Sequence, residues 1–142
     1  MNYQSRNESE TVVIATQFAA ALNPGDVVAI SGELGAGKSV FCRAVMRALG
    51  VKDEALPSPT FAIIQEYDAI DCRVAHMDWY RLEDASEIEM LGVRDFFQSP
   101  WICLIEWPER ASGILSDSVI EVRLQCDKEH VEWRSIQINP TQ

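Results

Sequence analysis

Residues 32–39 read Gly-Glu-Leu-Gly-Ala-Gly-Lys-Ser, and few stretches of eight residues restrict a fold as strongly. The pattern Gly-x-x-x-x-Gly-Lys-Ser is met at Gly32, Gly37, Lys38 and Ser39. Its glycines open backbone conformations that a Cβ resists, so successive N–H groups can turn inward around an anion. The run before it, DVVAIS (26–31), is almost continuously apolar, as in a strand buried on both faces. The segment after it, 38–49, sets Phe41, Ala44, Val45, Ala48 and Leu49 on one helical face and stops at Gly50. Strand, loop and helix in that order build a phosphate cradle, to which the helix N-terminus adds partial positive charge. In such a cradle Lys38 reaches the β- and γ-phosphates of a nucleoside triphosphate, and the Ser39 hydroxyl ligates Mg²⁺.

The rest of the chain reads as an α/β domain. A first helix is expected over 8–22, with Asn7 and Glu10 as a capping box and Val12, Ala15, Ala19 and Leu22 on its inner face. LPSPT (56–60) is a stiff loop, because each proline restricts itself and the residue before it. FAIIQEY (61–67), RVAHMD (73–78) and WICLIE (101–106) read as strands. Short helices are expected on either side of Gly92, and another from Pro108. SVIEVRL (118–124) alternates cleanly, and VEWRSIQI (131–138) alternates with a change of face near Arg134, which predicts a bulge. The expected sheet is mostly parallel, with these last two strands as an antiparallel hairpin.

At 142 residues the whole chain, 1–142, is expected to be one domain. With 12 Lys+Arg against 22 Asp+Glu it is strongly acidic, which disfavours unaided binding to a nucleic-acid backbone. The opening MNYQSRNESE is too polar for a signal peptide, and no apolar run reaches the roughly 20 residues of a membrane helix. A cytoplasmic protein is expected, with no membrane association. Cys42, Cys72, Cys103 and Cys126 form no Cys-x-x-Cys pair, so free thiols are expected.

A triphosphate site also needs a carboxylate for the metal, and the end of an apolar strand beside the loop is where open α/β sheets place ligands. Glu106 closes ICLIE and is read as positioning metal or water. Asp78 closes RVAHMD and is a second candidate, with capping of the next turn as its alternative role. His76 shares a strand face with Asp78 and is read as a satisfied, partly buried histidine. No basic, flexible insertion resembles a kinase lid, and the Asn-Lys-x-Asp pattern of guanine readers is missing, so ATP is the expected nucleotide. Arg43 and Arg47 lie one turn apart off the apolar stripe of the helix, a solvated face or a contact for an acidic partner or tRNA.

Five stretches in order, SGELGAGKSVFCRAVMRALG, SPTFAIIQEY, HMDWYRL, EIEMLGVRDFF and LIEWPE, closely resemble the TsaE (YjeE) family over residues 8–136. The resemblance implies a P-loop NTPase-like three-layer sandwich that binds ATP and Mg²⁺ and hydrolyses ATP slowly alone. It implies a role in the threonylcarbamoylation of adenosine 37 in tRNAs reading ANN codons. The implied partners are TsaD and TsaB, with tRNA met indirectly through their complex. By motif, Gly35, Ala36, Gly37, Lys38, Ser39 and Val40 hold the phosphates, Ser39 and Glu106 hold Mg²⁺, and Asp78 supports hydrolysis. Thr60 and Trp107 match switch elements near nucleotide and partner, and Thr11 and Arg134 match nucleotide contacts. Where the family loop commonly ends Gly-Lys-Thr-Thr, this one ends Gly-Lys-Ser-Val, so Val40 lacks a hydroxyl that helps hold the α-phosphate. The family's His-Phe-Asp is His-Met-Asp here, a conservative apolar swap. Two other functions stay open on sequence grounds: a small-molecule kinase, and a nucleotide-gated binding module whose hydrolysis is incidental.

Overall fold

The computed structural model describes residues 1–59 and 63–139. Seven strands form one sheet: β1 (Asn2–Ser5), β2 (Val27–Ser31), β3 (Ile64–Asp68), β4 (Arg73–Asp78), β5 (Trp101–Glu106), β6 (Ile120–Cys126) and β7 (Arg134–Asn139). Among the described residues three α-helices accompany them: α1 (Glu8–Ala19), α2 (Lys38–Leu49) and α3 (Ala85–Met90). Two 3₁₀ helices, Val93–Phe96 and Pro108–Ile114, complete the elements.

The sheet order is β1-β7-β6-β2-β5-β4-β3. Its centre is parallel, with β2 between β5 and β6 and with β5 beside β4. Antiparallel strands close both edges: β7 and then β1 outside β6, and β3 outside β4. One face packs against α1 and α2 through Ala15, Phe41, Val45, Val28, Ile30, Leu104 and Leu124. The other packs Met77, Cys103 and Ile105 against Ile88 of α3, Val93 and Ile114. Helices thus lie on both sides of a mixed sheet with a parallel centre, the three-layer α/β arrangement of a P-loop NTPase-like domain.

Several local expectations change. Asn7 caps α1 by accepting from the Glu10 N–H at 2.9 Å, but the Glu10 carboxylate returns to the N–H of Arg6 rather than of Asn7. The helix ends at Ala19, not 22, and its buried face is Thr11, Ala15 and Ala19, which leaves Val12 39% exposed. A spacing of four along 11, 15 and 19 holds that narrow stripe against α2. On α2, Cys42 and Met46 are buried while Ala48 is exposed, because the helix meets both α1 and the sheet. β3 pairs antiparallel to β4, a second hairpin that apolar patterning left without a direction. The predicted bulge is absent. The pairing from Cys126↔Arg134 to Glu121↔Asn139 is unbroken, and Val131–Trp133 belong to the turn before β7. β1 was not anticipated: its ladder to β7 is mostly backbone, with Tyr3 packed on the core.

The four cysteines are free, and among the described residues no helix is long and apolar enough to cross a membrane.

Candidate functional site

Strand register assembles the site. Glu106 pairs with Ile30 on one side and with Asp78 on the other, so both carboxylates stand at the C-terminal edge of the parallel strands, beside the loop that leaves β2. The loop depends on its glycines. Gly35 and Gly37 hold φ of 80° and 95°. At Gly32, φ is 157° and an added Cβ would lie 2.6 Å from the carbonyl oxygen of Leu124, a backbone contact that does not give way.

Lys38 folds back under the loop. Its Nζ donates to the carbonyls of Gly32 and Glu33, the latter at 3.0 Å, and lies 4.1 Å from the centroid of the Trp107 ring. An ammonium has three protons, so two donors orient the group and one is left for an incoming oxygen. Burial lowers the Lys38 pKa, and the nearby Glu106, Glu109 and Asp78 carboxylates offset part of that. Trp107 holds a φ of 59°, a left-handed backbone for a bulky residue, and its ring packs 4.8 Å from that of Tyr80.

The carboxylates are buried, Asp78 at 5% exposed and Glu106 at 3%. Asp78 fills the capping role read as its alternative, its Oδ1 accepting from the N–H of Tyr80 at 2.9 Å, and its side chain also lines the cleft. His76 departs from its expected role. It is fully buried, its Nε2 lies 2.7 Å from Glu106 Oε2, and its Nδ1 has no hydrogen-bond partner among the described residues.

A cleft of about 370 Å³ gathers Gly35, Gly37, Lys38, Ser39, Val40, Asp78, Glu106, Trp107 and Arg134, together with Ser58, which sequence reasoning missed. Ala36 is buried within the loop. A second cleft, about 220 Å³, shares Gly37, Val40 and Arg134 with the first and adds Thr11. Thr11 therefore stands apart from the glycine loop's own cleft, with its Oγ1 2.7 Å from the hydroxyl of Ser5. Thr60 lies outside the described residues.

Arg134 is a staple. Its Nε and Nη2 donate to the carbonyls of Ala36 and Gly35, each at 3.1 Å, and its Nη1 donates to those of Val131 and Trp133. Arg47 likewise donates to the carbonyls of Val51 and Glu54, tying down the loop after α2.

A larger concavity, about 710 Å³, lies on the opposite face of the sheet. Glu109, Asp117 and Glu121 line it against one cation, Arg123, so it would repel a phosphate.

The family model for "Threonylcarbamoyl adenosine biosynthesis protein TsaE" matches residues 5–136. The chain belongs to the TsaE family. The tRNA threonylcarbamoyladenosine biosynthesis protein TsaE of Rickettsia felis is 36% identical over 136 residues, covering 96% of this chain and 79% of the relative. The Bacillus subtilis protein of the same name is 38% identical over 125 residues, covering 88% and 75%. The crystal structure of Bacillus subtilis YdiB superposes with a TM-score of 0.84 at 28% identity, covering all of this chain and 86% of that one. The TsaE match spans every element that builds the clefts, from Thr11 to Arg134.

Proposed function

We propose that this chain is a Mg²⁺-dependent ATPase that serves the threonylcarbamoylation of adenosine 37 in tRNAs reading ANN codons, acting on a complex of TsaD and TsaB. The observation that carries the reading is the meeting of Lys38, Ser39, Asp78 and Glu106 in one cleft at the end of parallel strands. The donors suit the metal. A hydroxyl and two carboxylates are hard oxygens, the ligands Mg²⁺ prefers. Ser39 and Glu106 would hold the ion, and Mg²⁺ when bound neutralises charge on the β- and γ-phosphate oxygens.

The chain's own residues do the rest. The loop N–H groups, from Gly35 to Val40, orient the phosphates, and Lys38 brings its remaining proton and its charge to the terminal oxygens. Asp78, beside Glu106, accepts from an attacking water and aligns it. Trp107 roofs the ammonium and excludes solvent from that corner. The second cleft, with Thr11 and Arg134, lies where the rest of the nucleotide would extend. Slow turnover of the isolated chain follows, because the donors of Arg134 are spent on backbone carbonyls and an arginine finger is worth about 10³–10⁵ in rate. An acidic surface suits a protein that meets tRNA through partners.

Two measurements test the parts of this site that bind. Arg134 holds two loop carbonyls outward, which keeps the N–H groups inward. Two hydrogen bonds at about 0.5–1.5 kcal/mol each predict that Arg134→Ala weakens binding of a fluorescent ADP by roughly tenfold, at 1.4 kcal/mol per decade. Arg134→Lys should recover only part, since one ammonium does not span both carbonyls. Unchanged affinity in Arg134→Ala would remove the staple from the account. Val40→Thr should tighten the same binding by a fewfold, through a hydroxyl added at the lip shared by both clefts. No gain means that the missing hydroxyl carries no weight here.

The function itself is tested in a mixture of this chain with TsaD, TsaB, tRNA and ATP. Repeated rounds of tRNA modification that require this chain, and that stop with Glu106→Gln, are expected. Sustained modification by the Glu106→Gln chain would favour a nucleotide-gated binding module over an ATPase. A new phosphorylated metabolite from labelled ATP would favour a kinase.

A further inference from the structure

Beneath the nucleotide cleft, three side chains meet of which the ATPase reading uses only one. Cys42, His76 and Glu106 each offer one ligand atom, and these atoms lie within 4.8 Å of one another. The fold brings them together from three elements. Cys42 is one helical turn after Lys38 on α2, so it faces the sheet below the ammonium. Val74 and Leu104 point into the core shared with α2, and strand alternation sends His76 and Glu106 the same way. All three are buried, at 0%, 1% and 3% exposed. The His76 ring has binding capacity to spare, since its Nδ1 is buried without a partner among the described residues, an arrangement that costs stability when left so.

The chemistry of this set differs from that of the cleft above it. Ser39, Asp78 and Glu106 offer oxygen alone. Cys42, His76 and Glu106 offer sulfur, nitrogen and oxygen, the ligands of Zn²⁺ and Co²⁺. We propose that Cys42, His76 and Glu106 form a binding site for a borderline-soft divalent cation, of the Zn²⁺ class, at the floor of the nucleotide cleft. A tetrahedral ion holds such donors about 3.3–3.7 Å apart, so a separation near the 4.8 Å limit closes by roughly an ångström, and the 2.7 Å His76–Glu106 hydrogen bond opens by roughly half an ångström as both atoms turn to the ion. The thiol proton leaves as the metal–sulfur bond forms, Cys–SH + M²⁺ giving Cys–S–M⁺ and H⁺. The ion enters past Glu106, which lines the cleft, and a water from the cleft completes its shell. A captured ion draws Glu106 away from the nucleotide, so this site opposes the one above it.

Binding of the ion does not need ATP, so the test is run without nucleotide. The chain carrying Cys72→Ser and Cys126→Ser, which removes the two half-exposed thiols, is titrated anaerobically with Co²⁺. One ion per chain is expected, with a thiolate-to-cobalt charge-transfer band that Zn²⁺ abolishes. Adding Cys42→Ser should erase the band and weaken Zn²⁺ binding by more than the roughly 10–100-fold that an outer-shell partner is worth. A band that survives Cys42→Ser, or folded protein that gives none at saturating Co²⁺, overturns the proposal. Should Cys42→Ser fail to fold, X-ray absorption of the Zn²⁺-loaded parent decides: one sulfur with nitrogen or oxygen neighbours supports the site, and a shell without sulfur refutes it. A positive result beside absent ATPase activity would leave this site standing and sink the nucleotide reading alone.

Discussion

Lys38→Met is expected to lower ATP hydrolysis by at least about 10²–10³-fold, the cost of removing one preorganised donor at developing charge, without lowering the melting temperature. The two halves have one cause. In the folded chain Lys38 is 6% exposed, and its ammonium donates to the carbonyls of Gly32 and Glu33 on the wall of the cleft. Holding a charge there costs desolvation, as its lowered pKa records. A lowered pKa means that the fold holds the ammonium less favourably than water does, so removing the charge relieves that cost. Methionine keeps the stem and removes the charge, so activity and stability should part. The pH dependence carries the same sign. Between the depressed pKa of Lys38 and its ordinary value of 10.5, the unfolded chain binds more protons than the folded one, so this residue makes stability rise with pH in that window. In thermal melts wild type should therefore gain stability relative to Lys38→Met as pH rises through that window, with the slope missing from the variant. A large loss of stability with Lys38→Met would mean that the ammonium holds the loop together rather than serving the ligand.

Glu106 makes the second large effect, and here two substitutions separate chemistry from packing. Glu106→Gln removes the charge that would face Mg²⁺ and should lower hydrolysis by about 10²–10³-fold, comparable to losing other groups aimed at transition-state charge. Its amide oxygen can still accept from His76 Nε2, so the melting temperature should hold. Glu106→Ala removes that acceptor as well. His76 already carries one unpartnered nitrogen, and a second buried orphan costs about 1–3 kcal/mol. Hydrolysis should fail in both variants, whereas thermal stability should fall only in Glu106→Ala. Equal stabilities would mean that the 2.7 Å contact with His76 is not a working hydrogen bond. Retained hydrolysis in Glu106→Gln would take the carboxylate out of the metal site.

Much of the core was legible from local chemistry. β2, β4 and β5 are short apolar runs ended by polar or turn residues, and α2 ran from Lys38 to Leu49 as its stripe and Gly50 predicted. Strands of that kind declare themselves because both of their faces are buried. The edges were less legible. β1 turns one large side chain, Tyr3, toward the core and is held by backbone bonds to β7, which any sequence can make. The direction of β3 has no signature in an apolar pattern, since alternation is the same for either pairing. The inner face of α1 was displaced by one residue, from Val12 to Thr11, because a polar residue occupies the line that faces α2.

The same division runs through the site. The sequence alone determined the glycine loop and placed Lys38 and Ser39 at the start of the helix after it, because loop, lysine and helix start are contiguous and their geometry is local. It also marked Asp78 and Glu106 as strand-end carboxylates. Only the tertiary structure decided that these two stand side by side, that His76 bonds Glu106 across 30 residues and that Arg134 reaches Ala36 across 98. It likewise set Trp107 over Lys38 and brought Cys42 to the histidine and the glutamate. Such contacts are good to a few tenths of an ångström or they are not made. That precision comes from strand order and register across the whole sheet, which no short stretch of chain contains.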